Sequence, residues 1–333
     1  MNAAAPCRSQ PTSTAVICTR DRTQLLARAL LSLQAQRRKP LEILVVDNAP
    51  STEQTHQTVI REFPALRYVR EPVPGLNFAR NRALREAKGD IVAFLDDDAV
   101  ADPDWIAATE EAFAASPRLG ACMGKVDALT LASAGAQLFE ANGGFARGTR
   151  RIHLPPRAGP DPAGMPRPLI AWCIGVGSGV SMALHKDLVV QLGGFDTALD
   201  MGAALPGGGD HDMLWRLLES GAEVIYEPRV HARHEHRPER AAAELQILEH
   251  NRALTATLTK LVVTSGWRWK GSILAFLLWR LAKPFKRLLW GLAGRDPLPV
   301  PLLCRLVGST WRGLFAYPAA RRLSAERTAQ YGG

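Results

Sequence analysis

The stretch Ile91-Val-Ala-Phe-Leu95, followed by Asp96-Asp97-Asp98, decides the fold. An apolar run without polar alternation describes a buried strand, and the three carboxylates mark where it surfaces. Carboxylates packed that closely repel one another unless a hard cation lies between them. Oxygen ligands suit Mg²⁺ or Mn²⁺, which bind through one or two protein carboxylates plus the phosphates of a substrate. The stretch therefore points to a metal-nucleotide site. An acidic turn ahead of a helix opened by Asp102-Pro103 and running to about Ala115 accounts for the same residues, so the neighbouring segments must decide.

Working outward, strand and helix alternate. Thr14 to Cys18 reads as a strand ending in Thr19-Arg20-Asp21, and Leu25, Leu26, Ala29, Leu30 and Leu33 recur at helical spacing between Arg22 and Gln36. Ile43 to Val46 is a second apolar strand ending in Asp47-Asn48. A polar segment then runs to Phe63, followed by a strand at Leu66 to Val69 and a helix from Asn77 to Lys88. This alternation predicts an α/β fold with a mostly parallel sheet covered by helices on both faces. In such sheets ligands bind at the carboxyl ends of the strands. Thr19, Asp21, Asp47 and Asp96 to Asp98 all lie at such ends, so four distant segments converge on one crevice.

These segments carry a resemblance. Ala15-Val-Ile-Cys-Thr-Arg-Asp-Arg22, Leu44-Val-Val-Asp-Asn48, Gly75-Leu-Asn-Phe-Ala-Arg-Asn-Arg-Ala83, Phe94-Leu-Asp-Asp-Asp98, Gly193-Gly-Phe-Asp196 and Gly207-Gly-Gly-Asp-His-Asp212 occur in that order. The ordered set resembles a family 2 glycosyltransferase of the GT-A fold, over roughly residues 12 to 240. The resemblance implies a Rossmann-like sheet, a nucleotide-sugar donor (UDP-, GDP- or dTDP-linked), a divalent Mn or Mg ion and an inverting displacement onto a glycan or lipid-linked acceptor. Carried over residue by residue, it places Thr19, Asp21 and Asp47 around the nucleobase and ribose, with Asp47 accepting a base N–H. Asp98 becomes the main metal ligand, Asp96 completes the motif, and Asp97 reaches toward the ribose. Arg80 sits near the nucleotide, where a guanidinium suits phosphate.

Transfer to a hydroxyl also needs a base. Asp210 is the candidate, because Gly207-Gly208-Gly209 lets the backbone turn tightly into a helix from Asp210 to Gly221. Asp212 lies two residues on and on another face of that helix. It is the second choice, because Gly209 stands where the family pattern often has an acid. In His231-Ala-Arg-His-Glu-His236 the spacing fits no closed zinc site, and the resemblance implies that His234 completes the donor metal site or touches the diphosphate. The five cysteines lie too far apart in sequence for a recognisable thiolate pair.

At 333 residues with 47% hydrophobic and 22% charged residues, the chain has the composition of a globular protein with a sizeable core. Residues 1–11 read as a disordered lead-in without an apolar signal segment, which with the unpaired cysteines favours the cytoplasm. The resemblance implies a GT-A domain over residues 12–240, with its nucleotide-binding half at about 12–115 and its acceptor half at about 116–240. Within the latter, 147–168 is dense in Pro, Gly and Arg and reads as a mobile loop near the acceptor, and Ile174 to Ala183 re-enters the sheet.

Residues 241–333 form a basic, Trp- and Leu-rich helical extension. From residue 250 onward 14 Lys and Arg stand against Asp296 and Glu326, leaving 27 basic against 30 acidic residues in the rest of the chain. Trp267 to Trp290 is too interrupted by charge to span a bilayer; it suits an amphipathic helix at an anionic membrane surface, on the inner face, and truncation after about residue 265 is expected to leave the protein soluble. A nucleotidyltransferase would show a Gly-rich phosphate loop after the first strand, and Thr19-Arg20-Asp21-Arg22 is not one. Despite a pI of about 9.7, no nucleic-acid recognition motif stands out.

Overall fold

The computed structural model describes residues 10–155 and 168–331. Nearly all of the expected lead-in, and residues 156–167 of the Pro/Gly/Arg-rich segment, lie outside the described residues. The chain opens with β1 (Ser13–Thr19), α1 (Thr23–Gln34), β2 (Glu42–Asn48), α2 (Gln54–Glu62), β3 (Arg67–Glu71), α3 (Leu76–Glu86) and β4 (Ile91–Leu95). All pairs among these four strands are parallel, and β1 lies between β2 and β4 with Val16 opposite Leu44 on one side and Phe94 on the other. The register puts Thr19 beside Asp47. Their shared carboxyl edge is where the site forms.

The second half differs from the sequence expectation. It runs through β5 (Ala99–Ala101), α4 (Trp105–Ala114), β6 (Leu119–Ala128), α5 (Ala134–Ala141), β7 (Ile152–Leu154), α6 (Leu169–Gly175), β8 (Ser181–His185), α7 (Lys186–Gln191), α8 (Gly209–Glu219) and β9 (Glu223–His234). The 9-stranded sheet has the order β3-β2-β1-β4-β8-β6-β9-β5, with β7 also on β9. β8 is antiparallel to both β4 and β6, and β5 and β7 are antiparallel to β9, so the sheet is mixed and parallel throughout only its first four strands. A strand buried on both faces reads the same whichever way its neighbours run, so the apolar runs could not reveal this.

Three local expectations also shift. Ile174 ends up in α6, and the strand begins only at Ser181. The segment before Phe63 contains α2, which buries only Thr55 and Val59 and so has almost no apolar signature. Helix α4 starts after Asp104 rather than at Pro103, because β5 first pairs back along β9.

The carboxyl-terminal helices are α9 (Arg240–Thr264), α10 (Trp267–Leu292), α11 (Val300–Gly313) and α12 (Tyr317–Tyr331). Leu258 and Leu261 of α9, and Ile273, Leu277 and Leu281 of α10, enter the same buried cluster as Phe94, Trp215 and Tyr226. Trp215 Nε1 donates to Ser265 Oγ at 2.8 Å. The extension is therefore built into the core of the sheet domain.

Candidate active site

The aspartate turn after β4 is held by backbone bonds. Asp96 N donates to Val180 O, Ala99 N to Asp96 O and Glu235 N to Asp98 O. Because β5 pairs with β9 so that Ala99 faces His234, the turn brings the imidazole to the carboxylates. His234 Nε2 lies 3.0 Å from Asp98 Oδ1, and ligand atoms of Asp96, Asp98 and His234 all fall within 4.8 Å of one another. Burial and the neighbouring Asp98 push Asp96 up to about 7. Burial raises Asp98 as well, but His234 and Arg22 hold it below the ordinary carboxylate range. Two carboxylates that cannot both ionise comfortably, with an imidazole beside them, are a donor set that a divalent cation relieves; the nitrogen suits Mn²⁺ better than Mg²⁺.

Asp97 points elsewhere. Its oxygens accept from Thr19 Oγ1 at 2.7 Å and Arg22 NH1 at 2.9 Å, and the same NH1 donates to Asp98 at 2.9 Å. Thr19 and Arg22 are thereby fixed beside the carboxylates. Asp47 is fully buried; Tyr68 OH donates to its Oδ2 at 2.7 Å, while Oδ1 has no hydrogen-bond partner. A buried carboxylate oxygen without a donor is costly unless a ligand supplies one. Asp21 adopts a positive φ of 55°, and its carboxylate accepts Ser51 N at 2.9 Å. It raises the pKa of Asp47 by like charge, after burial and against Tyr68 and Arg70.

A cavity of ≈ 390 Å³ runs along this edge, lined by Thr19, Arg22, Asn48, Asp96, Asp98 and His234 among others. A second cavity of ≈ 340 Å³ shares Asp96, Leu76, Phe145, Val180, Met201 and His250 with it and continues to Arg80 and Asp210. Asp96 stands where the two meet.

Arg80 is buried. It donates to Asp200 at 2.7 Å and lies over the rings of Phe94 and Phe195. Asp210, in the first turn of α8, accepts Gly179 N at 2.9 Å through Oδ2 and His211 N at 2.7 Å through Oδ1. Burial raises its pKa, but His211, Arg80 and the two backbone N–H groups outweigh that and hold it low, so it is ionised. Gly208 at φ +90° turns the chain into α8, and a Cβ there would run into Thr257 of α9. Asp212 has no exposed side-chain surface and lines neither cavity; it accepts from Lys260 Nζ at 2.6 Å and Arg216 Nε at 2.9 Å. Of the two aspartates, Asp210 alone faces the cavity.

Within the histidine-rich segment, His231 binds Asp102 and Asp127, away from the site. His236 contacts His234 at 3.0 Å and Glu140 at 2.8 Å, supporting the imidazole that faces Asp98. Sequence reading missed Arg22 and His250. Arg22 lies within the first strand-end motif, but its partners are 75 and 76 residues away. Nothing in the sequence marks His250, in the middle of α9.

Residues 14–130 match the model of the family described as glycosyl transferase family 2. Among curated proteins, the chain is similar to a glucosyl-dolichyl phosphate glucuronosyltransferase of Haloferax volcanii, 28% identical over 117 residues, or 33% of this chain and 37% of that protein. It is also similar to the succinoglycan biosynthesis protein ExoM of Rhizobium meliloti, 34% identical over 95 residues, or 27% of this chain and 31% of that protein. The similar region spans about a third of either relative. Among solved structures, the mannosyltransferase PcManGT from Pyrobaculum calidifontis, in complex with GDP-Man and Mn²⁺, matches with a TM-score of 0.58 at 21% identity over 97% of this chain and 86% of that one. GalNAc-T7 with UDP, GalNAc and Mn²⁺ matches with a TM-score of 0.52 at 14% identity over 97% and 58%. These likenesses bear on the fold, which is that of GT-A glycosyltransferases. The family match covers residues 14–130, the strands β1 to β6 that build the aspartate turn, and the whole chain has the GT-A fold.

Proposed function

We propose that the protein transfers a sugar from a nucleotide-diphosphate sugar to a hydroxyl acceptor with inversion, in the assembly of a cell-surface polysaccharide, O-antigen or glycolipid. The observation that carries this is the junction of the two cavities at Asp96. The Asp96, Asp98 and His234 cluster lies on the donor side, and ionised Asp210 lines the other. Asp47, with its unpartnered Oδ1, accepts a base N–H, while Thr19 and Asp21 flank the nucleoside. Asp97 orients Thr19 and Arg22. Asp96, Asp98 and His234 would hold a Mn or Mg ion, and such an ion would supply positive charge beside a leaving diphosphate. Arg80 sets the potential between Asp96 and Asp210, both of which it feels through space. Asp210 takes the proton from the acceptor hydroxyl as that oxygen attacks. The complexes of the structural neighbours, one with GDP-Man and one with UDP and GalNAc, both with Mn²⁺, support a nucleotide-sugar donor and a divalent ion for this chain.

The surface of α10 supports a peripheral place on the inner face of the membrane. Ile273, Leu277 and Leu281 are buried, while Trp267, Leu278, Leu289 and Leu292 on the same helix are 90%, 57%, 66% and 66% exposed. Among the described residues no helix is long and apolar enough to cross a membrane. Exposed apolar bulk beside clustered cations fits a helix lying in an anionic headgroup layer. The function is tested by incubating the protein with UDP-, GDP- and dTDP-sugars, Mn²⁺ and lipid-linked glycan acceptors. Release of one nucleoside diphosphate that depends on the acceptor is expected; release of pyrophosphate from a nucleoside triphosphate instead would favour a nucleotidyltransferase.

A further inference from the structure

The far wall of the Asp210 cavity comes from outside the family-matched segment. Arg280, Lys283 and Arg287 of α10 line it, and Arg147 joins them from the loop after α5. Their spacing of three and four residues puts the three α10 cations on one stripe of the helix, next to its exposed apolar stripe. Only Arg287 is neutralised, by a two-pronged bond to Asp296 at 2.8 and 2.9 Å. Among the described residues, no carboxylate pairs with Arg147, Arg280 or Lys283. Arg280 donates to Asn251 Oδ1 at 2.6 Å, but its buried Nε has no partner. Arg147 bonds only the carbonyls of Gly144 and Ala146, and Lys283 lies over the Trp279 ring at 5.3 Å. Burial, then the neighbouring Arg287, pulls Arg280 down to about 10, and burial likewise lowers Arg147. Asp96, Asp200 and Asp210 line the same cavity, but none is in ion-pair contact with these three cations, and cations gathered without a paired carboxylate repel one another and lose hydration. An anion of the right size relieves both penalties, and guanidinium forks match phosphate oxygens.

We propose that Arg147, Arg280 and Lys283 form a phosphate subsite for the acceptor, holding its phosphate or diphosphate so that the hydroxyl to be glycosylated faces Asp210. This rests on the glycosyltransferase reading and names its acceptor as a phosphate-bearing molecule. The apolar stripe beside the cations, exposed at Leu274, Leu278 and Trp279, gives a lipid carrier attached to that phosphate a surface to lie on. The donor diphosphate belongs to the other cavity.

The test uses the full chain with its donor site saturated by Mn²⁺ and whichever of UDP, GDP or dTDP binds. Geranyl diphosphate, inorganic diphosphate, geraniol and glucuronic acid are then titrated by calorimetry. Geranyl diphosphate is expected to bind, with Arg280→Gln and Lys283→Gln each weakening it on the order of 10- to 100-fold, the scale for losing a charge-assisted hydrogen bond, and Arg280→Lys restoring part of the loss. Nucleotide affinity should not move in any of these variants. Weaker binding of inorganic diphosphate than of geranyl diphosphate assigns the site to a lipid-linked phosphate; equal binding assigns it to the phosphate alone. No ion pair is lost in Arg280→Gln, so its melting temperature without ligand should be at or above wild type, and exposed Lys283 provides a second variant that folds in any case. Tighter binding of glucuronic acid, equal binding of geraniol, or an unchanged affinity in Lys283→Gln overturns the proposal while nucleotide binding leaves the glycosyltransferase reading in place. Failure of every nucleotide to bind removes that reading and the proposal with it.

Discussion

Replacing Asp210 and Asp212 separately by Asn distinguishes a catalytic carboxylate from a structural one at nearly the same point of the chain. Asp210 faces the second cavity, accepts the backbone N–H groups of Gly179 and His211, and has the His211 imidazole 3.2 Å from its Oδ1. An Asn there keeps one acceptor oxygen, so one of these bonds is lost, at about 1–3 kcal/mol. Part of that is offset because a buried charge disappears. Turnover, by contrast, loses its base, which is on the order of 10² to 10⁴ in kcat. Donor affinity stays as it was. Asp212→Asn should behave in the opposite way. Its carboxylate answers both Lys260 and Arg216 with no exposure to solvent, and breaking a buried pair by removing one partner costs about 3–5 kcal/mol. Lys260 keeps Asp196 at 2.6 Å, so the cost falls at the lower end, about 3 kcal/mol, seen as a melting temperature several degrees lower. Steady-state kinetics at a temperature where both variants are folded, together with thermal melts, separate the two effects. If Asp212→Asn is inactive yet melts like wild type, and Asp210→Asn turns over normally, the assignment of the base is wrong.

The Asp98→Ala variant should lose transfer, and chelation should do the same to wild type; full turnover of metal-stripped protein in EDTA would refute a metal-dependent mechanism. Stability should respond to acid through Asp196, whose pKa burial raises but Lys260 lowers further, to a net value below the ordinary range. A depressed folded pKa contributes stability that is present above the unfolded value of about 3.9 and lost as pH falls through the folded one. The melting-temperature gap between wild type and Lys260→Met should therefore be wide at pH 7 and narrow below about pH 4. A gap unchanged by pH would mean that the ion pair contributes nothing. Intact protein should co-float with anionic liposomes, less at high salt, and Trp267→Glu with Leu289→Glu should reduce this without lowering the melting temperature; flotation unaffected by these changes would leave the exposed stripe without a lipid role.

What was legible in the sequence follows from how local each signal is. The runs Val16-Ile17, Leu44 to Val46 and Ile91 to Leu95 announce buried strands, and their acidic ends announce the crevice, because strand order along one edge collects those ends whatever the remaining topology. Asp210 was legible because three glycines leave few other ways to enter α8. The antiparallel course of β8 was not, since Met182 to Leu184 are buried whichever way β4 and β6 run beside them. The roles of Arg22, His250 and Arg280 depend on partners tens of residues away, which no spacing rule connects. Asp47 lay between: its place was readable from the strand, but the unpartnered oxygen that makes it a candidate ligand group appears only once Tyr68 is seen to occupy the other.

The extension is where the two kinds of information conflict most usefully. Charge and tryptophan content suggested a detachable membrane module, for which truncation after about residue 265 would be the natural experiment. The packing argues against that variant. Cutting there removes Ile273, Leu277 and Leu281 from the cluster around Trp215 and Tyr226, and each such loss from a core costs about 2–5 kcal/mol. The product would expose core surface and aggregate for reasons unrelated to lipid. It would also delete Arg280 and Lys283 from the wall of the Asp210 cavity, so under the proposed function activity would be lost with or without a membrane. One helix thus carries a buried stripe that completes the fold, a cationic stripe that lines the Asp210 cavity and an exposed apolar stripe. Only single substitutions confined to one stripe can assign a function to it: Leu289→Glu on the exposed face should change flotation but not turnover with a short-chain soluble acceptor. Lys283→Gln, on the cavity face, should do the reverse. If both variants lost flotation and turnover together, the stripes would not be separable and α10 would act as a single structural element.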